Sequence, residues 1–124
     1  MQQDAQRCYR EFWPLYLRAH SHKATQRLHL LATVAGALTA SLGLAQGEIL
    51  AIPAGVAVAY GISIPSHLLV EGNIPTAGRH PLWSAMADVK MCALLLTGRM
   101  GAEMQRLGIR PGEPQRQRRV QSTC

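Results

Sequence analysis

Residues Leu28–Val70 read LHLLATVAGALTASLGLAQGEILAIPAGVAVAYGISIPSHLLV, two apolar runs separated only by Gln46-Gly47-Glu48. The first, Leu28–Ala45, carries a single ionisable group, His29, and is just long enough to cross a hydrocarbon core as a helix. The second, Ile49–Val70, is longer and almost wholly apolar, with His67 near its far end. A polar triplet is too short to be anything but a turn, so the two runs predict an antiparallel helical hairpin. Ala, Gly, Ser and Thr recur in the first run, which permits close approach of two helices and leaves a homo-oligomer open. Pro53 and Pro65 would break a helix in water, but inside a bilayer neighbouring helices and Ser side chains re-satisfy the freed carbonyls.

Outward from the hairpin, charge gathers at both ends of the chain. Arg7, Arg10, Arg18, Lys23 and Arg27 precede the first run against Asp4 and Glu11. Arg99, Arg106, Arg110, Arg116, Arg118 and Arg119 follow the second, offset by Glu103 and Glu113. The formal net charge of +6 therefore belongs to the flanks of a nearly neutral middle. A nucleic-acid binder interleaves its basic residues with aromatic or polar readers on one face, which this pattern does not do, so membrane lipid is the expected partner and nucleic acid is not. The positive-inside rule then places both termini and the loop after Val70 on the cytoplasmic side of a cytoplasmic or inner membrane.

Before the hairpin, residues 5–19 bring Tyr9, Phe12, Trp13 and Tyr16 to roughly helical spacing among arginines, predicting an interfacial amphipathic helix. Its rings are placed either at headgroup depth or against the rest of the protein. Leu82–Gly101 is interrupted by Asp88 and Lys90, read as surface charges, and predicts a third, partly buried helix rather than a third crossing. The fold class is thus all-α: an integral membrane hairpin, an N-terminal interfacial helix and a third helix in one domain over residues 1–110. A disordered basic tail is expected over 111–124. Cys8, Cys92 and Cys124 form no C-x-x-C pair and are expected as three free thiols, with no thiolate zinc site.

All five histidines, His20, His22, His29, His67 and His80, fall on the cytoplasmic side of this scheme or within two turns of it. His29 opens the first span and His67 closes the antiparallel second one, so the hairpin brings them to similar depth. His67 and Glu71 are four residues apart, on one helical face, a workable pair for a metal. His20 and His29, nine apart, converge only if the chain bends between them, and the polar His20–Lys23 stretch is where such a bend belongs. Neutral imidazoles with one carboxylate suit ferrous iron, zinc or manganese. Ionisable groups within a membrane segment are expensive, which marks His29 and His67 as functional candidates. Asn73 and Pro75 shape the loop, and Asn73 is placed to orient a ligand from behind. Two other readings stay open: a non-catalytic membrane protein whose histidines and Glu71 join helices by hydrogen bonds, and a lipid- or metal-binding module without redox chemistry.

Phe12-Trp13-Pro14-Leu15-Tyr16-Leu17-Arg18-Ala19-His20-Ser21-His22, Arg27-Leu28-His29, His67-Leu68-Leu69-Val70-Glu71-Gly72-Asn73-Ile74-Pro75 and Pro81-Leu82-Trp83-Ser84 with Asp88 and Met91 together resemble the family of the fungal 2-hydroxy fatty acid dioxygenase. The resemblance runs over about residues 9 to 100 and includes the H-x8-H and H-x3-E spacings. It implies an Fe(II)-dependent membrane oxidoreductase that uses O₂ to shorten 2-hydroxy fatty acids by one carbon, an α-oxidation. By the same matching, His20, His29, His67 and Glu71 fall on the family's metal-binding and catalytic positions. Arg27 and Arg79 are placed to pair with a substrate carboxylate.

Overall fold

Gly36 and Gly55 set the distance between the two apolar helices. A Cβ on Gly36 would lie 2.6 Å from the carbonyl oxygen of Gly55, and one on Gly55 would overlap the carbonyl oxygen of Gly36. The backbones therefore touch directly, and the pair α2 (Lys23–Ala45) and α3 (Ala51–Ser66) forms the most extensive packing in the molecule. Seven residues further along α2, Gly43 meets Ala51 in the same way. Between them Gly47, at φ 82°, reverses the chain, its amide bonded to Leu44 O and the Glu48 amide to Gly43 O. Such paired bonds close the C-terminus of a helix through a left-handed residue, which glycine adopts at least cost.

The computed structural model describes residues 2–74 and 80–113, with side chains from residue 8 onward. Those residues are all helical or connecting, with no strand. Along α1 (Gln2–Ala19) the aromatic face turns inward, so these rings pack against the rest of the protein. Phe12, Trp13, Tyr16 and Leu17 are buried against Ala87 and Met91 of α4 (Pro81–Leu96), Met100 and Met104 of α5 (Met100–Arg106), and Ile109. Trp13 Nε1 donates to Glu103 at 2.9 Å and Lys90 Nζ lies 4.2 Å from the centre of the Trp13 ring, fastening α1 to α4 and α5.

Two helices are long and apolar enough to cross a membrane: Lys23–Ala45, and Ala51–Glu71, in which a five-residue π-helical turn, His67–Glu71, continues α3. At 1.5 Å per residue they extend about 34 Å and 31 Å, against a hydrocarbon core of about 30 Å. Their outer faces carry Leu31, Val34, Leu38, Leu42, Ile52, Val56 and Ile64, all exposed. A helix at the core of a soluble protein would bury such residues, and an apolar surface this continuous marks contact with lipid or a partner. Pro53 sits in the first turn of α3, where its missing N–H costs no helical bond. Pro65 does remove one, and the chain relaxes into the π turn two residues later.

The third helix is half-buried as its pattern predicts, with Ser84, Ala87, Met91 and Cys92 inside and Leu82, Val89 and Leu96 outside. It stops sooner than Gly101, because Gly98 at φ 69° turns the chain and α5 starts at Met100. Residues 111–113, assigned to the tail from sequence, are bonded to the fold: the Gly112 amide donates to Ser21 O, and Glu113 O accepts from Ser21 Oγ. The remainder of that tail, 114–124, lies outside the described residues. Cys92 is a free, buried thiol, whereas Cys8 is disulfide-bonded, contrary to the expectation of three free thiols.

Candidate metal centre

Between α1 and α2 the chain turns sharply at His20–His22, with His22 in extended conformation (φ −77°, ψ 134°) before α2 begins. A bend so far from regular structure exposes peptide groups that must be satisfied. Gln26 Nε2 donates to His20 O at 2.8 Å, the Glu71 carboxylate accepts from the His22 amide at 2.8 Å, and Gly112 supplies Ser21 O. The corner is thus held from α2, the π turn and the segment after α5.

This bend delivers His20 to the pair that the hairpin already creates. His29 lies in the second turn of α2, and His67 opens the π turn at the end of α3. The three imidazoles are buried and meet nearly edge to face, with ring centres 4.4 Å apart for His20–His29 and His20–His67 and 5.0 Å for His29–His67. One ligand atom from each lies within 4.8 Å of the other two.

The second nitrogen of every ring decides what that centre can do. His20 Nδ1 is 2.7 Å from Tyr16 O, His29 Nδ1 is 3.1 Å from Asp88 Oδ1, and His67 Nδ1 is 2.7 Å from Asn73 Oδ1. The Asn73 amide is oriented by its own donor group, which bonds Ala19 O at 3.0 Å. A carbonyl, a carboxylate and an amide oxygen all accept, so each Nδ1 carries the proton and each Nε2 keeps its lone pair. His29 Nε2 and His67 Nε2 then face each other at 3.2 Å with no proton between them, and His20 Nε2 is buried without a hydrogen-bond partner. Three converging lone pairs are repulsive unless a cation accepts them. Two nitrogens bound at about 2.1 Å in tetrahedral or right-angle geometry stand roughly 3.0 to 3.4 Å apart, which brackets the separation seen. The residues present fit a divalent metal.

Electrostatics support the same protonation state. Burial, followed by the neighbouring His29 and His67, holds the His20 imidazole well below the usual histidine range, so it is neutral at physiological pH. Tyr16, stacked on His20 with ring centres 4.0 Å apart, is pushed well above the usual tyrosine value by burial and then by Asp88. Its hydroxyl therefore stays protonated and donates to Asp88 at 3.1 Å. Thr33 Oγ1 donates to the other carboxylate oxygen. Asp88 thus gathers three donors and fixes the His29 ring through one of them, the usual support behind a metal-binding histidine.

Of the residues expected at the site, the structure brings His20, His29 and His67 together and does not bring Glu71. The buried Glu71 carboxylate is 2.7 Å from His22 Nδ1, 2.8 Å from the His22 amide and 3.4 Å from Ser21 Oγ. Those groups surround the N-terminus of α2, whose positive end draws the carboxylate away from the cluster. Arg27 is exposed on α2 and does not line the cleft described below, while Arg79 lies outside the described residues. Asp88, Tyr16 and Thr33 were not legible as site residues. Asp88 nevertheless falls on the buried stripe of α4, with Ser84, Ala87 and Met91 at three- and four-residue spacing, and that placement distinguishes it from a surface acid.

From the histidines a cleft of about 440 Å³ runs between α2, α3 and α4, a volume common for small-molecule sites. Tyr16, Thr33, Ser84 and Asp88 line it near the three histidines, Ser63 and Tyr60 follow along α3, and the remaining walls are apolar.

Fold and site together define a helical-hairpin protein with a buried three-histidine centre at one end of an apolar cleft. The chain belongs to the 2-hydroxy-palmitic acid dioxygenase Mpo1-like family, whose model matches residues 6–100. No curated protein and no solved structure gives a significant match. The matched span contains all three histidines, Asn73 and Asp88, and ends before the 107–113 segment that packs on the Ser21 corner.

Proposed function

We propose that this chain is a membrane-embedded, Fe(II)-dependent dioxygenase that takes a 2-hydroxy fatty acid and O₂ and returns an acid one carbon shorter. The family's dioxygenase description supports the reaction class. One observation carries the site: every Nδ1 of the three buried histidines meets an acceptor, which leaves three Nε2 lone pairs on one centre. Three imidazoles without thiolate accept several divalent ions, reaction with O₂ calls for a redox-active one, and iron is the one this reading assigns. Bound there, iron(II) would supply the one-electron chemistry that O₂ requires. The reaction balances if the 2-hydroxy acid and O₂ give the shortened acid, CO₂ and water.

The protein's own groups perform the remaining tasks. Asp88, Asn73 and the Tyr16 carbonyl lock the three rings against rotation. Tyr16 covers His20 from one side, residues 112 and 113 close the Ser21 corner, and the cleft opens onto the histidines. The polar end of that cleft takes the hydroxyl and carboxyl groups, and its apolar length takes the chain. Glu71 fixes the bend that carries His20 rather than serving as a fourth ligand.

α2 and Ala51–Glu71 cross the bilayer in this reading, with lipid on their exposed leucines, isoleucines and valines. The histidine end lies beside the basic flanks and so faces the cytoplasm, together with both termini.

The test is metal analysis and turnover of the protein purified in detergent. We expect one iron per chain, lost when His29→Ala and His67→Ala are combined in one protein, and O₂ uptake with 2-hydroxypalmitate that yields pentadecanoate. Folded protein that binds no divalent metal would overturn the proposal.

A further inference from the structure

The polar groups of the cleft gather towards the histidines, with Ser63 and Tyr60 the outermost on α3, and the opposite end is lined by apolar residues alone. From His67 to Ile52 the cleft follows α3 for about 22 Å, and from His29 to Ala40 it follows α2 for about 16 Å, at 1.5 Å per residue. Along this course its floor is made of Gly36, Ala37, Gly55 and Ala59, whose small side chains leave the space open. Past Ala40 and Ile52 the next pair is Gly43 and Ala51, where a Cβ on Gly43 would overlap that of Ala51. The helices also touch at Gly36 and Gly55 beneath the trough, so its end is marked by its lining, which on α2 and α3 goes no further than Ala40 and Ile52.

We infer that this cleft is a ruler for the acyl chain, with Ala40 and Ile52 setting the longest chain accepted. The inference rests on the proposed substrate class and deepens it: the ligand is a single unbranched acyl chain, its polar head at the histidines and its methyl end against these two residues. A trough floored by glycine and alanine gives straight methylenes a continuous apolar surface. Ala40 is the smallest side chain with a Cβ at the closed end, so enlarging it shortens the trough, whereas trimming Ile52 lengthens it.

The protein in lipid nanodiscs is titrated with cis-parinaric acid, and the bound probe is displaced by saturated 2-hydroxy acids from 2-hydroxydecanoate to 2-hydroxyoctadecanoate, each expressed as a mole fraction of lipid. Ala40→Phe should lower the affinity for the longest acid relative to the shortest by at least about tenfold, the scale of forcing bulk into a filled space. Ile52→Ala should move the preference in the opposite direction. Opposite shifts in the two variants support the ruler even if no oxidation is seen, because the readout is binding. Identical chain-length profiles in wild type, Ala40→Phe and Ile52→Ala overturn it, even if the enzyme oxidises its substrate. Should Ala40→Phe fail to fold, Ile52→Ala alone decides, since trimming an exposed side chain leaves the hairpin contact at Gly36 and Gly55 intact.

Discussion

Replacing Asp88 by alanine should weaken metal binding without dismantling the fold. The carboxylate accepts from His29 Nδ1, Tyr16 Oη and Thr33 Oγ1, so its loss strands three donors at once. Two of these are hydroxyls able to rotate, and the carboxylate is about one-fifth exposed on the cleft, where water replaces part of what is lost. The net cost to folding is then about 1 to 3 kcal/mol, that of one unsatisfied buried polar group rather than three. The His29 ring, freed from its anchor, should lose metal affinity by about 10- to 100-fold, as removal of a hydrogen-bonding partner behind a metal-bound histidine does. Asp88→Asn keeps an oxygen for His29 Nδ1 and Tyr16 Oη and turns its amide toward the Thr33 hydroxyl, which can accept, so its loss should be smaller. Competition with a chelator of known affinity measures both variants, and thermal unfolding in detergent separates binding from stability. Asp88→Ala with metal affinity within about twofold of wild type would refute the role assigned to this carboxylate.

Further consequences follow from other contacts. Asn73→Ala should also lower metal affinity, by about tenfold, because it removes the acceptor for His67 Nδ1 and the donor to Ala19 O together, and Asn73→Asp should restore only the first. Gly55→Val places a side chain on the Gly36 carbonyl, which should cost about 1 to 3 kcal/mol or more and reduce the bound iron, since hairpin spacing sets the separation of His29 and His67. Glu103 is held down to about 2, first by its hydrogen bond with Arg106 and also by the Trp13 indole. A carboxyl depressed in the folded state stabilises above its unfolded value of 4.5 and loses that contribution as pH falls toward 2, so Glu103→Gln should flatten the acid limb of a denaturation profile. An unchanged acid limb in Glu103→Gln would contradict that assignment.

Much of the architecture is written in hydropathy and charge. Leu28–Ala45 and Ile49–Val70 announce two antiparallel helices, and the depth relation of His29 to His67 follows from their lengths alone. Where the chain would bend to include His20 was equally legible, because the polar residues before Lys23 offer the only interruption. Glu71 was misplaced for a physical reason: residue spacing puts it near His67, but spacing carries no information about the helix N-terminus that competes for its charge. Asp88 and Tyr16 were hidden for a related reason. An acid in an apolar helix and an aromatic ring among arginines have ordinary surface readings, and only the packing of α1 on α4 turns both toward the histidines. Residues 111–113 are composed like a tail, and the hydrogen bonds of Gly112 and Glu113 to Ser21 arise from a long-range meeting that composition does not encode.

X-ray absorption at the iron edge of Fe(II)-loaded protein tests the three-histidine centre most directly. Imidazole rings scatter characteristically, so the spectrum should fit three of them at about 2.1 Å, with one lost in each of His20→Ala, His29→Ala and His67→Ala and none lost in Glu71→Gln. A wild-type spectrum fitted by one imidazole or none, or one still fitted by three imidazoles in His29→Ala, would contradict the account.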